Sequence, residues 1–279
     1  MTGMRRTSTL VTIPFSHYCE LARWSLDAAR MSYVEQRAMP GFHIFSVARA
    51  STSLWPRVAQ KPSAGSQWAV PMLILPDGCQ LQDSHEIAKH AAAGTSLYPD
   101  HLHGAIDADL LHCHDRIGPA TRRFAYYHLF NALDAAAFAD LAAKNGAPAW
   151  QATLLSTPSV FARVKTYISK GLGVSKERAL RSEGYVAAEL DALAERRRAS
   201  PSAAYLHGAQ ATIADLSFAA LLAPVLGVPC QAAGVWLPPA EALGAEYVEK
   251  TAAWREHAAG SYAADLLERR NEILASREP

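Results

Sequence analysis

Thr9-Leu10-Val11-Thr12-Ile13-Pro14-Phe15-Ser16-His17-Tyr18-Cys19-Glu20 is the stretch whose reading decides the fold. Thr9 to Ile13 is short, apolar and β-branched, which reads as a strand. Pro14 ends it. Ser16 then stands at a helix N-cap position, and Glu20 falls in the first turn, where a carboxylate complements the helix dipole. Leu21, Trp24, Leu26 and Ala28 supply the apolar positions of a helix reaching about Arg30. Tyr33 to Gln36 reads as a second strand. The three elements make a βαβ crossover, which should be right-handed.

Outward from this unit the pattern changes twice. Pro40, Gly41, Pro56, Pro62 and Gly65 break up residues 40–69, which read as a short helix with irregular flanks. Val70 to Leu75 is a third strand. Pro76-Asp77-Gly78 is a turn, and Cys79 to Leu81 starts a returning strand. Asp83 and Ser84 offer caps for a helix over 84–93, closed by Gly94 and Pro99. Beyond residue 100 only helical windows remain: 104–117, 119–143, 158–168, 175–198, 212–226, 241–257 and one near 261–274. The expected fold is therefore α/β followed by all-α. A thioredoxin-like βαβ-ββα domain covers residues 1–99, and a helical domain covers 100–279.

Bulk properties narrow the function. Of 279 residues, half are hydrophobic and 19% charged, enough apolar material for a sizeable core. The net charge of +1 gives no electrostatic reason to expect a nucleic-acid or membrane partner. The Arg196-Arg197-Arg198 run reads as a solvated helix end. No apolar run approaches the ~20 residues of a membrane span, and a cytoplasmic protein is expected. Cys19, Cys79, Cys113 and Cys230 show no metal-ligand spacing and read as free thiols; no metal site is expected.

The segment Pro14 to Cys19, placed between strand one and helix one, resembles the glutathione transferase superfamily, particularly its serine-type, theta-like and bacterial members. Ser16 matches the position of the first cysteine in the Cys-Pro-Tyr-Cys motif of the related glutaredoxins, and Cys19 the second. The resemblance implies that the Ser16 hydroxyl donates to the sulfur of glutathione and favours its thiolate, with the helix N-terminus assisting. The alternative is a plain N-cap. A disulfide mechanism needs a thiolate where Ser16 stands, which leaves Cys19 as the rival nucleophile for a thiol oxidoreductase. His17 and Tyr18 either line the site's mouth or are exposed loop residues.

Three further motifs carry the resemblance. Val70-Pro71 matches the family's cis-proline strand, whose preceding residue presents its backbone to the cysteinyl part of glutathione; otherwise Pro71 starts an edge strand. Gln82-Asp83-Ser84 matches the segment that holds the γ-glutamyl end on a helix N-terminus; otherwise it is an ordinary cap. Thr212-Ile213-Ala214-Asp215 is a capping box with a structural role. His43, Arg49, Arg57 and Lys61 are candidates for the glycyl carboxylate, and His43 joins the glutathione-binding set with Val70, Pro71, Asp83 and Ser84.

The family's cleft-lining helix falls where this chain carries His112, His114, Arg116, Arg122, Arg123, Tyr126 and Tyr127. Arg116, Arg123 and Tyr127, with His17 and Tyr18, make the expected second-substrate pocket; the alternative is a solvated or dimer-contact stripe. The resemblance as a whole implies a homodimeric glutathione-dependent transferase acting on a hydrophobic electrophile by conjugation, ether or halide cleavage, or isomerisation. The rival from another class is a glutathione-transferase-like binding or regulatory protein without catalysis.

Overall fold

The computed structural model describes residues 7–50, 68–228 and 237–275. Arg57, Lys61 and Cys230 lie outside these residues. The chain begins with β1 (Ser8–Thr12), α1 (His17–Ala28), β2 (Tyr33–Arg37) and α2 (His43–Ala50). It continues with β3 (Met72–Ile74), β4 (Gln80–Gln82) and α3 (Ser84–Ala92). The strands form one sheet in the order β2-β1-β3-β4. β1 runs parallel to β2, with Thr9 opposite Val34, and antiparallel to β3, with Leu10 opposite Leu73. β3 and β4 make the expected hairpin.

The sheet is covered on both faces, which is why its strands are apolar on both sides. Leu10 and Leu73 pack on Ala22 and Leu26 of α1 and on Ile87 and Ala91 of α3. Val11 and Met72 point the other way, onto Val47 of α2. The opposite side of α1 presents Leu21 and Trp24 to the helical half of the chain. Helix α1 is thus buried nearly all round.

The helical half comprises α4 (His103–His112), α5 (Gly118–Ala132), α6 (Ala135–Lys144), α7 (Ala149–Leu155), α8 (Pro158–Leu172) and α9 (Lys176–Arg198). Then come α10 (Ile213–Leu226), α11 (Ala245–Glu256), α12 (Ala258–Glu268) and α13 (Arg270–Ala275). Helix α10 is the axis of the core: from Ile213 to Leu226 every residue but Pro224 is buried. A separate apolar cluster joins α5 to α8 through Leu129, Phe130, Phe138, Leu155 and Phe161. No helix among the described residues is long and apolar enough to cross a membrane.

Several expected helix boundaries are corrected. The window 119–143 is two helices: Leu133 is extended, and the Asp134 side chain accepts the Ala137 N–H at 2.8 Å to cap α6. Helix α7 lies where no helix was expected. Gly244, at φ +102°, separates a 3₁₀ turn at Ala240–Leu243 from α11. The last window is α12 and α13, not one helix.

Gly118-Pro119 does not end a helix either. The chain passes from α4 into α5 through a π-turn at Cys113–Ile117 with helical dihedrals at both ends. The Gly118 N–H bonds the Cys113 carbonyl, five residues back. The next donor in that pattern would be Pro119, which has no N–H to give. The Tyr18 hydroxyl donates to the His114 carbonyl at 3.0 Å.

Candidate functional site

The start of α1 meets this π-turn, and the contact fixes the site's geometry. Ser16 is the N-cap of α1, its Oγ accepting the Cys19 N–H at 3.4 Å. A hydroxyl cap uses a lone pair and leaves the O–H proton free to donate elsewhere. His17 is buried, and its Nε2 lies 3.0 Å from the Gly118 carbonyl. A carbonyl only accepts, so the neutral ring carries its proton on Nε2. Burial first, and the Arg122 charge second, push His17 down to about 3. Tyr18 is also buried, its ring 4.4 Å from that of His17 and 5.3 Å from that of His114. Neither residue is an exposed loop side chain.

The loop before Ser16 is held from beneath. The Arg23 guanidinium, 1% exposed, donates to the Pro14 carbonyl at 2.9 Å, to Glu20 at 3.1 Å and to Glu35 at 2.7 Å. Thr12 and Arg37 also donate to Glu35. Burial pushes the Glu35 carboxyl up, but Arg23 and these donors outweigh it and hold it below the usual range.

Above the loop opens a cavity of about 540 Å³, within the range of small-molecule sites. Ser16, His17 and Tyr18 form one wall, and His43 and Val70 another. The helical half supplies Arg122, Ala125, Tyr126 and Leu129. Burial pushes the His43 ring down to about 4 and raises the Tyr126 phenol, so both are neutral near pH 7.

Asp83 and Ser84 are not among the cavity's lining residues. The Val70–Pro71 peptide is cis, as expected. Gln82 Nε2 donates to the Ala69 carbonyl at 2.6 Å and so ties the end of β4 to the residue before Val70. Asp83 has φ +69°, an uncommon conformation for a residue with a side chain and one that concentrates at functional sites. Ser84 follows as the first residue of α3, 1% exposed, and its buried Oγ has no hydrogen-bond partner. A buried hydroxyl without a partner is costly and calls for a ligand or water.

Of the remaining expected site residues, Arg116 is exposed on the π-turn. Arg123 donates to Ser182 of α9 at 3.2 Å, and Tyr127 packs edge-on against His128. None of the three is among the cavity's lining residues. Arg122 and Tyr126 line it instead. Arg122, Ala125, Tyr126 and Leu129 share one face of α5 through spacings of three and four, but Arg123 and Tyr127 have the same spacing. Arg49 is exposed at the end of α2. Cys19 is fully buried, and burial pushes its thiol up to about 11, the opposite of what a nucleophilic thiolate requires.

No protein-family model matches the chain, and no curated protein sequence matches it. Solved structures do. The glutathione transferase GSTFuA3 of Phanerochaete chrysosporium superposes with a TM-score of 0.60 at 15% identity, covering 97% of this chain and 98% of its own. The chain has the fold of the glutathione transferases. A second structure, the glutathione S-transferase CsGST63524 of Ceriporiopsis subvermispora in complex with glutathione, gives 0.60 at 14% identity over 98% and 99% of the two chains. A third, GSTFuA2 of P. chrysosporium, gives 0.57 at 16% identity over 96% and 98%. In the glutathione transferase fold of this chain, the cavity lies where the sheet half meets the helical half.

Proposed function

We propose that the protein is a glutathione-dependent transferase. Glutathione lies along the backbone of Val70, with its γ-glutamyl carboxylate on Ser84 and the α3 N-terminus and its ammonium toward Asp83. The observation that carries this reading is the Ser84 hydroxyl, buried and unpartnered in the first turn of α3 directly after Asp83. It is the arrangement that a carboxylate entering the N-terminus would complete. His43 stands on the cavity wall with Val70, within the same set.

Ser16 then faces the thiol. Its free O–H donates to the sulfur, lowers the thiol pKa and keeps a thiolate near neutral pH. The thiolate attacks an electrophilic carbon of a molecule held in the cavity; an S–C bond forms, and the electron pair of the breaking bond leaves with the departing group. The free thiols Cys19, Cys79 and Cys113 fit a reducing, cytoplasmic setting, and the working form in this reading is a homodimer.

Isothermal titration with reduced glutathione tests the reading, run with Ser84→Ala and Ser16→Ala. Binding in the micromolar-to-millimolar range, weakened about tenfold or more by Ser84→Ala, supports it. Ser16→Ala should leave binding nearly intact and abolish the thiolate absorbance of the bound thiol near neutral pH. Binding without any thiolate in the wild type points to a non-catalytic glutathione-binding protein. No binding overturns the reading.

A further inference from the structure

Among the described residues, the cavity lining carries a cation and no carboxylate. Among the described lining residues Arg122 is the single charged side chain; there is no Asp, Glu or Lys. Its Nε is buried and makes no hydrogen bond, and its guanidinium carbon lies 5.4 Å from the centre of the Tyr18 ring. The neighbouring imidazoles of His17 and His43 are neutral at pH 7 and add no second positive charge beside Arg122. The sequence segments 51–67 and 229–236 contain no Asp or Glu. A guanidinium keeps its charge in any protein environment and presents a planar fork matched to carboxylate geometry. Arg122 is half-buried with its Nε enclosed, so an anion from outside that pairs with its fork is only partly screened by water.

The surroundings define the rest of that anion. Phe15, Tyr126, Trp68, Tyr167 and Leu129 offer flat and aliphatic surfaces in the same cavity. From this arrangement we infer that the cavity selects aromatic molecules carrying a carboxylate, which pairs with the Arg122 guanidinium while the rings lie on the apolar wall. The inference names the class of second substrate for the transferase reading and rests on it for the reaction, though not for the binding.

The probes are 2-naphthoate and its uncharged analogue 2-naphthamide, titrated by intrinsic fluorescence into wild type, Arg122→Gln and Arg122→Lys, each without glutathione. Wild type should bind 2-naphthoate about tenfold more tightly than 2-naphthamide. Arg122→Gln should lose that preference while keeping its affinity for 2-naphthamide, which also reports that the cavity is folded. Arg122→Lys should restore part of it. Equal affinities in wild type, no 2-naphthoate binding, or a preference that survives Arg122→Gln each overturn the inference. Calorimetry with glutathione on the same three proteins separates the two readings. A preference for 2-naphthoate in a protein that does not bind glutathione sinks the transferase alone. Arg122→Gln weakening glutathione while the naphthoate preference is unchanged assigns Arg122 to glutathione and sinks the carboxylate inference.

Discussion

A Cβ built on Gly118 would stand 2.2 Å from the Tyr18 phenolic oxygen and 2.5 Å from the ring carbon that bears it. Tyr18 therefore sits against the backbone of the π-turn, in space that only glycine leaves open. Its hydroxyl bond to the His114 carbonyl holds it there. The substitution Gly118→Ala must displace a buried ring from the seam between the two halves. It should destabilise the protein by about 1–3 kcal/mol, the range for overpacking. Urea unfolding measures it, and a variant as stable as wild type would show that the ring has room to move.

Acid should loosen the same seam. The His17 ring is held at about 3 against an ordinary 6.5. Its folded pKa is depressed, so on acidification the unfolded chain takes up the proton first. The stabilising contribution is complete above about pH 6.5 and is lost as pH falls from there toward 3. His43, His85 and His114 are lowered as well and act in the same direction. His17→Gln keeps a donor for the Gly118 carbonyl and removes one titrating group. Its unfolding free energy should fall less steeply than that of wild type between pH 6.5 and about 4.5. Parallel slopes for the two proteins would remove His17 from the account.

Asp215 does more than the capping box requires. Its Oδ2 accepts the Thr212 N–H at 2.7 Å and the Thr212 hydroxyl at 2.9 Å. Its Oδ1 accepts the Leu206 N–H at 2.8 Å and the hydroxyl of Tyr262 on α12. A box alone contributes about 0.5–2 kcal/mol. Asp215→Ala leaves several buried donors unpaired and should cost more, about 3 kcal/mol or above. Asp215→Asn keeps the acceptor oxygen and should cost less. Chemical denaturation gives both values, and equal losses would contradict the donor count.

Arg23 is the heaviest single prediction. Glu20 is fully buried between Arg23 and Arg270, so Arg23→Ala leaves its carboxylate only the longer 3.4 Å contact with Arg270 and takes a donor from Glu35 and the Pro14 carbonyl as well. The loss should be about 3–5 kcal/mol. Arg23→Lys keeps the charge but not the planar fork that reaches Glu20, Glu35 and the Pro14 carbonyl together, and it should fall between the two. A thermal-melt series that places lysine level with wild type would mean that charge alone suffices.

Some of this was legible in the chain. The apolar run Thr9–Ile13, the caps at Ser16 and Ser84, the turn at Pro76–Gly78 and the box at Thr212–Asp215 are local signals, because each depends on neighbours a few residues away. They were enough for the βαβ and ββα units and the helical second half; Ser16, Val70, Asp83 and Ser84 became candidate site residues through the resemblance that these segments carry. Helix ends set by long-range partners were not legible. The passage through Gly118-Pro119 is braced by Tyr18, 96 residues from His114 in the chain, whose hydroxyl donates to the His114 carbonyl. The same limit governed the cavity face. Arg122 with Tyr126 and Arg123 with Tyr127 have identical spacing, so periodicity cannot rank them. The packing of Phe124 against Tyr247 and Trp254 sets the rotation of α5 and turns Arg122 toward the cavity. The sequence by itself determined the strands and helices of the first half and the all-helical character of the second, since propensity and capping act within a turn or two. Only the tertiary structure decided which charge stands in the cavity, since that follows from burial and from which side of a helix the core takes.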